Sequence, residues 1–478
     1  MIAMPLPDSS VLRRRDAIVR DLGRLVGSDQ VISDPDGRRT FETDGLSAYR
    51  CMPLCVVLAR STDDVAKVLA YAEAGGIKVI ARGAGTSLSG GALPTEDAIV
   101  LGLSRMNRVL AIDYENRTAR VEVGITNLGI SAAVAPRGFF YAPDPSSQLA
   151  CSLGGNIAFN SGGAHCLKYG VTTNNVLGLK LVTVDGDVIE IGGEYLDQPG
   201  YDLLGLLVGS EGQLGVVTEA TVRILRQAEG ARPLLLGFDS SEAAGRAVAA
   251  IIAAGIIPVA IEFMDKPAIE VCEAFAKAGY PLDVEALLIV EVEGSEQEIS
   301  ALLERIVELV KPHAPRVVTV SQSAEQSAAI WKGRKSAFGA IGRISDYLCM
   351  DGTIPLGRMP EVLARIAEIC AGYGLRVANI FHAGDGNLHP LILFNANDPE
   401  EMMKAEMCGA DILKLCVEVG GCLTGEHGVG VEKRDLMPVQ FTDAELALQM
   451  SIKSALDPKW LLNPAKVFPL REPTSDAA

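Results

Sequence analysis

Three of the chain's five histidines lie between residues 379 and 430. His382 and His389 flank the turn-forming run 384–387, and Glu426 and His427 stand between two glycines. The apolar stretches beside the turn predict a β-hairpin that places His382 and His389 roughly opposite each other, about 5 Å apart at Cβ. Two imidazoles at that separation can share one divalent ion with a carboxylate such as Glu426. The spacing therefore predicts a metal site of His382, His389 and Glu426, which would suit zinc, manganese or iron.

Glu426 and His427 are neighbours, so in extended backbone their side chains point in opposite directions. One of them can bind the metal while the other faces a substrate. The alternative is that these histidines are structural residues beside a glycine-rich turn. Their clustering with an acidic neighbour, in a chain with so few histidines, favours the metal site.

A glycine-rich loop follows the first predicted strand–helix–strand unit, which consists of residues 54–59, 65–74 and 78–81. The loop reads Arg82-Gly83-Ala84-Gly85-Thr86-Ser87 and continues to residue 91. It has no lysine for a nucleotide-triphosphate loop, and it has neither the third glycine nor the following helix of a dinucleotide fingerprint. The remaining interpretation is a nest of backbone N–H groups that holds a pyrophosphate.

Three further motifs are rich in small residues or proline. They are residues 143–145, 152–163 and 209–218, and a strand is predicted at 179–184 between the last two. Small residues at this density let the backbone approach a flat ligand closely. The glycine-rich loop and these motifs together predict one extended ligand site.

Composition excludes several classes of protein. The net charge of −17 argues against nucleic acid or an anionic membrane as the main partner. The ten cysteines form no Cys-x-x-Cys pair. We therefore interpret them as buried apolar residues of a protein in a reducing compartment. The first residues do not resemble a signal peptide, and no uncharged apolar run reaches about 18 residues. We therefore expect a cytoplasmic protein of two or three domains.

Beyond residue 224 the pattern predicts three β–α–β units. The first is 234–238, 241–254 and 259–263, and the second is 286–292, 296–310 and 317–321. The third is 353–355, the helix 359–372 and the hairpin. Short strands that alternate with helices in this way predict an α+β, ferredoxin-like cap over an antiparallel sheet. At the other end of the chain, residues 9–26 predict a surface helix.

The motifs agree in order with a known family. The glycine-rich loop and the motifs at 143–145, 152–163 and 209–218 resemble the flavin domain of the vanillyl-alcohol oxidase and para-cresol methylhydroxylase (PCMH) superfamily. The His-x6-His and Glu-His-Gly motifs resemble its D-2-hydroxyacid dehydrogenase branch. Within that branch, residues 331–335 and 349–355 resemble the flavoprotein subunits of bacterial glycolate oxidases.

The resemblance implies a domain order and a cofactor. We expect an N-terminal helical segment (1–50), a PCMH-type FAD-binding domain (51–228), a cap or substrate domain (229–420), a C-terminal segment that returns to the FAD domain (421–470) and a tail (471–478). FAD would be held without a covalent bond, because the glycine-rich loop has no histidine and His165 is interpreted as structural. The implied FAD contacts are Arg82, Gly83, Ala84, Gly85, Thr86, Ser87, Pro143, Ser152, Gly155, Asn156, Gly162, Glu211 and Val217.

The resemblance also implies oxidation of a 2-hydroxyacid, with hydride transfer from Cα to flavin N5. His427 would be the base, the metal would polarise the substrate hydroxyl, and Arg334 would bind the substrate carboxylate, with Arg343 as a second cation. Cys349 and Leu391 stand where relatives that oxidise D-2-hydroxyglutarate carry Lys and Asn. This favours a short acid such as glycolate or D-lactate.

Other functions remain open at this point. They are a D-2-hydroxyglutarate dehydrogenase, an ether-lipid-forming transferase of the same superfamily and a flavin-binding scaffold without turnover. The resemblance also implies a companion flavin-domain subunit and an iron–sulfur subunit as electron acceptor, since this chain has no cluster motif.

Overall fold

The computed structural model describes residues 3–195 and 199–470, which form two compact units. The N-terminal unit contains the chain up to Gly162, then Val171–Arg226, and then the chain from His427 onward. The middle unit contains Gly163–Gly170 and Gln227–Glu426. The sequence did not predict that the short segment Gly163–Gly170 belongs with the middle unit. The predicted tail, 471–478, lies outside the described residues.

A small, mostly parallel sheet opens the N-terminal unit. Its strands, in spatial order, are Val31–Ile32, Cys55–Leu58, Ala98–Gly102 and Lys78–Arg82. The helix Thr62–Gly75 makes the crossover between two of them, and the Ser61 side chain caps it by accepting from Asp64 N–H. After Lys78–Arg82 the described chain enters no helix until Asn127–Val134. The glycine-rich loop is therefore irregular backbone, as a pyrophosphate nest requires.

The second sheet of this unit is antiparallel. Its strands are Val109–Asp113, Thr118–Glu122, Val216–Arg223, Val176–Val182 and Val188–Gly192. Phe139–Phe140 and Leu225–Arg226 form a separate pair. The other α-helices of the unit are Ser9–Arg13, Arg15–Val26, Pro35–Arg39, Leu153–Phe159, Leu203–Leu207, Met437–Gln440 and Asp443–Leu456.

The last part of the chain completes the N-terminal unit. The buried Lys453 ammonium donates to the Gln213 carbonyl at 2.6 Å, and Asn463 N–H donates to the Val79 carbonyl at 2.8 Å. Leu461 and Leu462 join the same apolar core as the strands before residue 226. This unit is therefore built from stretches that are far apart in the sequence.

The middle unit is one antiparallel sheet covered by helices. Its seven strands, in spatial order, are Val317–Val320, Gly230–Phe238, Ala286–Gly294, Ala260–Asp265, Arg376–His382, Pro390–Phe394 and Asp346–Cys349. The α-helices are Cys166–Tyr169, Ser241–Ala253, Lys266–Ala276, Glu296–Val310, Ala324–Lys335, Ala337–Ile341, Met359–Gly372 and Pro399–Glu418. The predicted α+β class is confirmed.

Two local predictions were wrong. Residues 353–355 form no strand, since Thr353 makes only isolated bridges, and the third unit instead uses the edge strand Asp346–Cys349. The predicted helix 9–26 is interrupted at Arg14, which ends one helix and begins the next. Among the described residues, no helix combines the length and apolarity needed to cross a bilayer.

Candidate active site

The three predicted metal ligands lie together in the middle unit. His382 Nε2 is 3.4 Å from Glu426 Oε1, and His389 Nε2 is 3.3 Å from the same oxygen. The imidazole centroids are 5.2 Å apart and the rings are nearly perpendicular. Both histidines are buried. Two nitrogens and one carboxylate oxygen therefore converge on a single point, an arrangement that fits one divalent cation.

The hairpin positions the histidines differently from the prediction. Asn379 pairs with Pro390, and His382 bridges Asn387, so the two histidines are offset along the strands rather than opposite. They remain on one face of the sheet, and their rings meet across the diagonal. Gly386 has φ +76°, and a Cβ there would lie 2.3 Å from the Ile354 carbonyl oxygen. The predicted register was therefore wrong although the two rings are adjacent.

Asp351 holds the backbone that carries Glu426. Its carboxylate accepts from Gly425 N–H at 3.0 Å, from Glu426 N–H at 3.2 Å and from the Thr424 hydroxyl. One oxygen also lies 3.3 Å from His389 Nε2. Asp351 is fully buried. It therefore fixes Glu426 through the main chain and contacts a second predicted ligand through its side chain.

Glu262 contacts two of the predicted site residues and was missed by the sequence analysis. It lies on Ala260–Asp265, directly opposite His382 in the neighbouring strand. Its Oε1 is 2.7 Å from His382 Nδ1, and its Oε2 accepts from Arg334 Nε at 2.7 Å. The side chain is completely buried. The signal in the sequence was a single glutamate between the apolar residues Ile261 and Phe263.

Burial and charge act in opposite directions on this pair. Burial raises the pKa of the Glu262 carboxyl, but the charges of Arg334 and His382 outweigh burial and hold that pKa below its ordinary value. Burial likewise lowers the pKa of His382, whereas Glu262 and then Glu426 raise it well above its ordinary value. Glu262 is therefore held as the carboxylate, and its charge favours a proton on the facing Nδ1 of His382.

Arg334 is buried on the helix Ala324–Lys335. Its Nε donates to Glu262 Oε2 at 2.7 Å, and its Nη2 lies 2.6 Å from the same oxygen as an ion pair. One turn earlier, Trp331 Nε1 donates to Glu291 at 2.7 Å. A guanidinium has five N–H donors, so others remain for a substrate carboxylate. The structure brings Arg334 into the same network as His382.

Arg343 does not join this network. Its side chain is exposed, and its guanidinium carbon lies 5.4 Å from the centre of the Phe275 ring. Cys349 and Leu391 are direct cross-strand partners, both buried in one apolar cluster with Met264 and Ile380. Leu391 lies on the same strand face as His389, two residues further on. The surface beside the metal ligands is therefore apolar at both of these positions.

His165 is also in the middle unit, within Gly163–Gly170. Its Nε2 is 3.1 Å from Glu291 Oε2, and its ring centroid lies 5.3 Å from that of Trp331. These contacts are consistent with the structural role expected for it.

The predicted cofactor residues lie in the N-terminal unit. A Cβ on Gly83 would lie 2.0 Å from Ser152 Oγ. The glycine-rich loop therefore contacts the motif at 152–163 at a position where only glycine fits. Arg82 is buried and donates to the Thr43 carbonyl at 2.8 Å. The Ser87 hydroxyl accepts from Gly91 N–H at 3.2 Å. Loop backbone packed this closely is suited to hold a pyrophosphate.

The other predicted cofactor residues are distributed around the same unit. Ser152 caps the helix Leu153–Phe159 by accepting from Gly155 N–H at 3.3 Å. Asn156 donates to Asn127, and Asn127 donates to the Pro143 carbonyl, both at 2.7 Å. Ala84, Gly85 and Thr86 lie in the irregular loop, Gly162 is buried beyond the helix, and Val217 lies on Val216–Arg223.

Glu211 and His427 belong to this unit as well. The buried Glu211 carboxylate accepts from Val429 N–H at 2.6 Å and from Gly430 N–H at 2.8 Å. The Ser89 hydroxyl donates to the His427 carbonyl at 2.9 Å. Glu426 ends the middle unit and His427 begins the last segment of the N-terminal unit. The segment that starts with His427 is therefore attached to the glycine-rich loop through its backbone.

Comparison with known proteins assigns both parts of the chain. Residues 53–192 match the family described as "FAD binding domain", and residues 228–467 match "FAD linked oxidases, C-terminal domain". The chain is 51% identical to the glycolate oxidase subunit GlcD of Escherichia coli (strain K12), over 95% of this chain and 91% of that protein. It is 33% identical to a D-lactate dehydrogenase of Archaeoglobus fulgidus, over 94% of this chain and 98% of that protein.

Solved structures confirm the predicted fold family. A 4-ethylphenol oxidase from Gulosibacter chungangensis matches with a TM-score of 0.82 at 16% identity, covering 97% of this chain and 99% of that one. A p-cresol methylhydroxylase matches with a TM-score of 0.79 at 15% identity, covering 98% of each. The two family matches identify FAD as the cofactor, and the chain belongs to the family of FAD-linked oxidases.

Proposed function

We propose that this protein oxidises a short 2-hydroxyacid, glycolate or D-lactate, to the 2-oxoacid with FAD as electron acceptor. The names of its relatives support the reaction class, since they include a glycolate oxidase subunit and a D-lactate dehydrogenase. The observation that carries the proposal is the buried network that joins Arg334, Glu262 and His382 beside His389 and Glu426. The proposal is supported by this proximity of a guanidinium to two imidazoles and a carboxylate.

One divalent metal, zinc, manganese or iron, would be held by His382, His389 and Glu426. Bound there, it would polarise the substrate hydroxyl and lower the pKa of that hydroxyl. The donor set supports this assignment, because both imidazoles face one carboxylate oxygen. Asp351 would keep Glu426 in place through its bonds to the backbone N–H groups of Gly425 and Glu426.

Each remaining role falls to a residue of this chain. Arg334 would bind the substrate carboxylate with the N–H groups that do not face Glu262. His427 would take the hydroxyl proton on its imidazole, since it adjoins Glu426 in the sequence and imidazole titrates near neutral pH. FAD, bound without a covalent link, would accept the hydride from the substrate Cα.

The apolar pair Cys349 and Leu391 supports a short substrate. A second carboxylate beside them would lose its hydration without gaining a partner. D-2-Hydroxyglutarate is therefore the disfavoured member of the class. One relative is named as a subunit of a glycolate oxidase, and we propose that this chain also works in a complex. Its partners would be a companion flavin-domain subunit and an iron–sulfur subunit that accepts the electrons. The complex would lie in the cytoplasm.

Anaerobic bleaching of the flavin tests the proposal. Purified protein would be mixed with glycolate, both lactates and both 2-hydroxyglutarates, and the flavin absorbance followed. We expect glycolate or D-lactate to reduce the flavin fastest. The Arg334→Gln variant should retain the oxidised flavin spectrum and bleach far more slowly. Failure of all five acids to bleach a protein reconstituted with metal and partner subunits would contradict the proposed reaction.

A further inference from the structure

We propose that Glu262 is a positioning residue that fixes both the ring nitrogen that His382 offers to metal and the direction in which Arg334 presents its guanidinium. One carboxylate would thereby set the affinity for metal and the affinity for the substrate anion. The inference rests on the proposed function, in which His382 is a ligand and Arg334 an anion-binding group. It assigns a role to a residue that neither reacts nor binds metal.

The first part follows from the imidazole. In a neutral histidine, one ring nitrogen carries the proton and the other carries the lone pair that can bind metal. Glu262 Oε1 lies 2.7 Å from His382 Nδ1 and must accept a hydrogen bond from Nδ1–H, because a carboxylate has no hydrogen to donate. The lone pair is then on Nε2, the nitrogen that faces Glu426 Oε1. Glu262 selects the tautomer that can coordinate.

The second part follows from the guanidinium. Arg334 Nε donates to Glu262 Oε2 at 2.7 Å and Nη2 lies 2.6 Å from the same oxygen, so this carboxylate fixes the orientation of the guanidinium plane. Both side chains are buried, so water does not compensate for a lost partner. Without the carboxylate, Arg334 would lose this fixed orientation, and a misdirected guanidinium binds a substrate anion less well.

Glu262 is not the only anchor of the helix that carries Arg334. Trp331, one turn earlier on Ala324–Lys335, donates to Glu291 at 2.7 Å. Glu291 lies in the neighbouring strand, opposite Ala260, so its side chain is on the same face of the sheet as Glu262. The helix therefore has an attachment to this face that is independent of Glu262. This separates the positioning role of Glu262 from a general role in packing.

The same geometry supplies matched variants. Glu262→Gln removes the charge with little change in shape. Arg334→Gln removes the guanidinium but leaves the bond between Glu262 and His382. Glu291→Gln makes the same chemical change as Glu262→Gln at another carboxylate of this face, whose contacts among the described residues are with His165 and Trp331 and not with Arg334 or His382. The double variant Glu262→Gln/Arg334→Gln leaves no unpaired buried charge, in case the single Glu262 variant fails to fold.

The test measures metal affinity without turnover. Metal-free protein with FAD bound would be titrated with Zn²⁺ or Mn²⁺ against a chromophoric chelator. We expect Glu262→Gln, and the double variant, to bind metal about 10- to 100-fold more weakly than wild type, the usual effect of losing such a partner. Arg334→Gln and Glu291→Gln should bind metal as wild type does. Wild-type metal affinity in Glu262→Gln or in the double variant would overturn the inference.

A kinetic measurement tests the substrate arm. With metal in excess, the kcat of Glu262→Gln should recover towards that of wild type, whereas KM for glycolate should stay raised. A KM equal to that of wild type would overturn this arm. The proposed function can fail separately from this inference. If wild-type protein binds metal through His389 but oxidises no 2-hydroxyacid, the proposed reaction is refuted. The metal titrations would still decide whether Glu262 sets the tautomer of His382. Wild-type protein that binds no metal would overturn that part of the inference.

Discussion

At the scale of single residues, His382 and His389 carry the metal hypothesis. We expect His382→Ala or His389→Ala to remove the bound metal and to lower activity on the order of 100-fold or more, because only two donors would remain. The FAD spectrum should not change. Elemental analysis of purified protein measures the metal, and His313→Ala, in the short 3₁₀ turn Lys311–His313, is the matched control. Full activity after exhaustive chelation would contradict the prediction.

The proposed preference for a short substrate also depends on individual side chains. We expect kcat/KM for glycolate or D-lactate to exceed that for D-2-hydroxyglutarate about 100-fold or more, since an unpaired carboxylate costs several kcal/mol and about 1.4 kcal/mol is a factor of ten. Steady-state assays with a dye acceptor measure the ratio. Leu391→Asn should reduce it by offering a polar partner. Arg343→Ala, a change at an exposed side chain, should leave the ratio unaltered. A large change in the ratio would show that Arg343 contributes to substrate binding.

At the scale of secondary-structure elements, Asp265 joins a strand to a helix. It caps Lys266–Ala276 through Ala268 N–H and accepts from the backbone and side chain of Asn379 on the adjacent strand. Burial raises the pKa of Asp265 from 3.8 to about 6, although these hydrogen bonds oppose the shift. The folded protein therefore holds this proton more tightly than the unfolded chain does.

The sign of the pH dependence follows from that difference. Between about pH 4 and pH 6 the native state binds more protons than the unfolded state, so the free energy of unfolding falls as pH rises. For a shift of two pKa units the total fall is about 3 kcal/mol. Above this range the contribution of Asp265 is constant. Urea unfolding at several pH values would measure it. In Asp265→Asn this component should disappear, so the stability difference between the two proteins should change across that range. A difference that is independent of pH would contradict the raised pKa.

Local signals explain which elements could be predicted. The helix Glu296–Val310 has its predicted bounds because Ser295 and Glu298 form a capping box at its start. The edge strand Asp346–Cys349 was missed, since its four residues carry no comparable signal. Glu262 was missed for another reason. Its contact with His382 depends on the order and register of strands 120 residues apart in the sequence, which no local pattern encodes.

At the scale of the whole molecule, the family and its cofactor were predictable because four motifs agreed in order.

The attachment of FAD is a further prediction. We expect acid precipitation to release all the yellow colour into the supernatant, since the loop 82–91 has no histidine and His165 is engaged with Glu291. Absorbance of pellet and supernatant measures this. Colour that stays in the pellet, and is lost in His165→Ala, would show a covalent link at His165.

The division of the N-terminal unit between the two ends of the chain has a consequence for biosynthesis. Lys453, Asn463 and the segment that begins with His427 reach the growing protein only after the whole middle unit has been translated. During translation, the earlier stretches of this unit therefore have an incomplete core while roughly 200 further residues are synthesised. Apolar surface exposed for that long is a target for chaperones and a site of aggregation. A premature stop near residue 426 would leave the metal-ligand set encoded but the N-terminal unit unfinished.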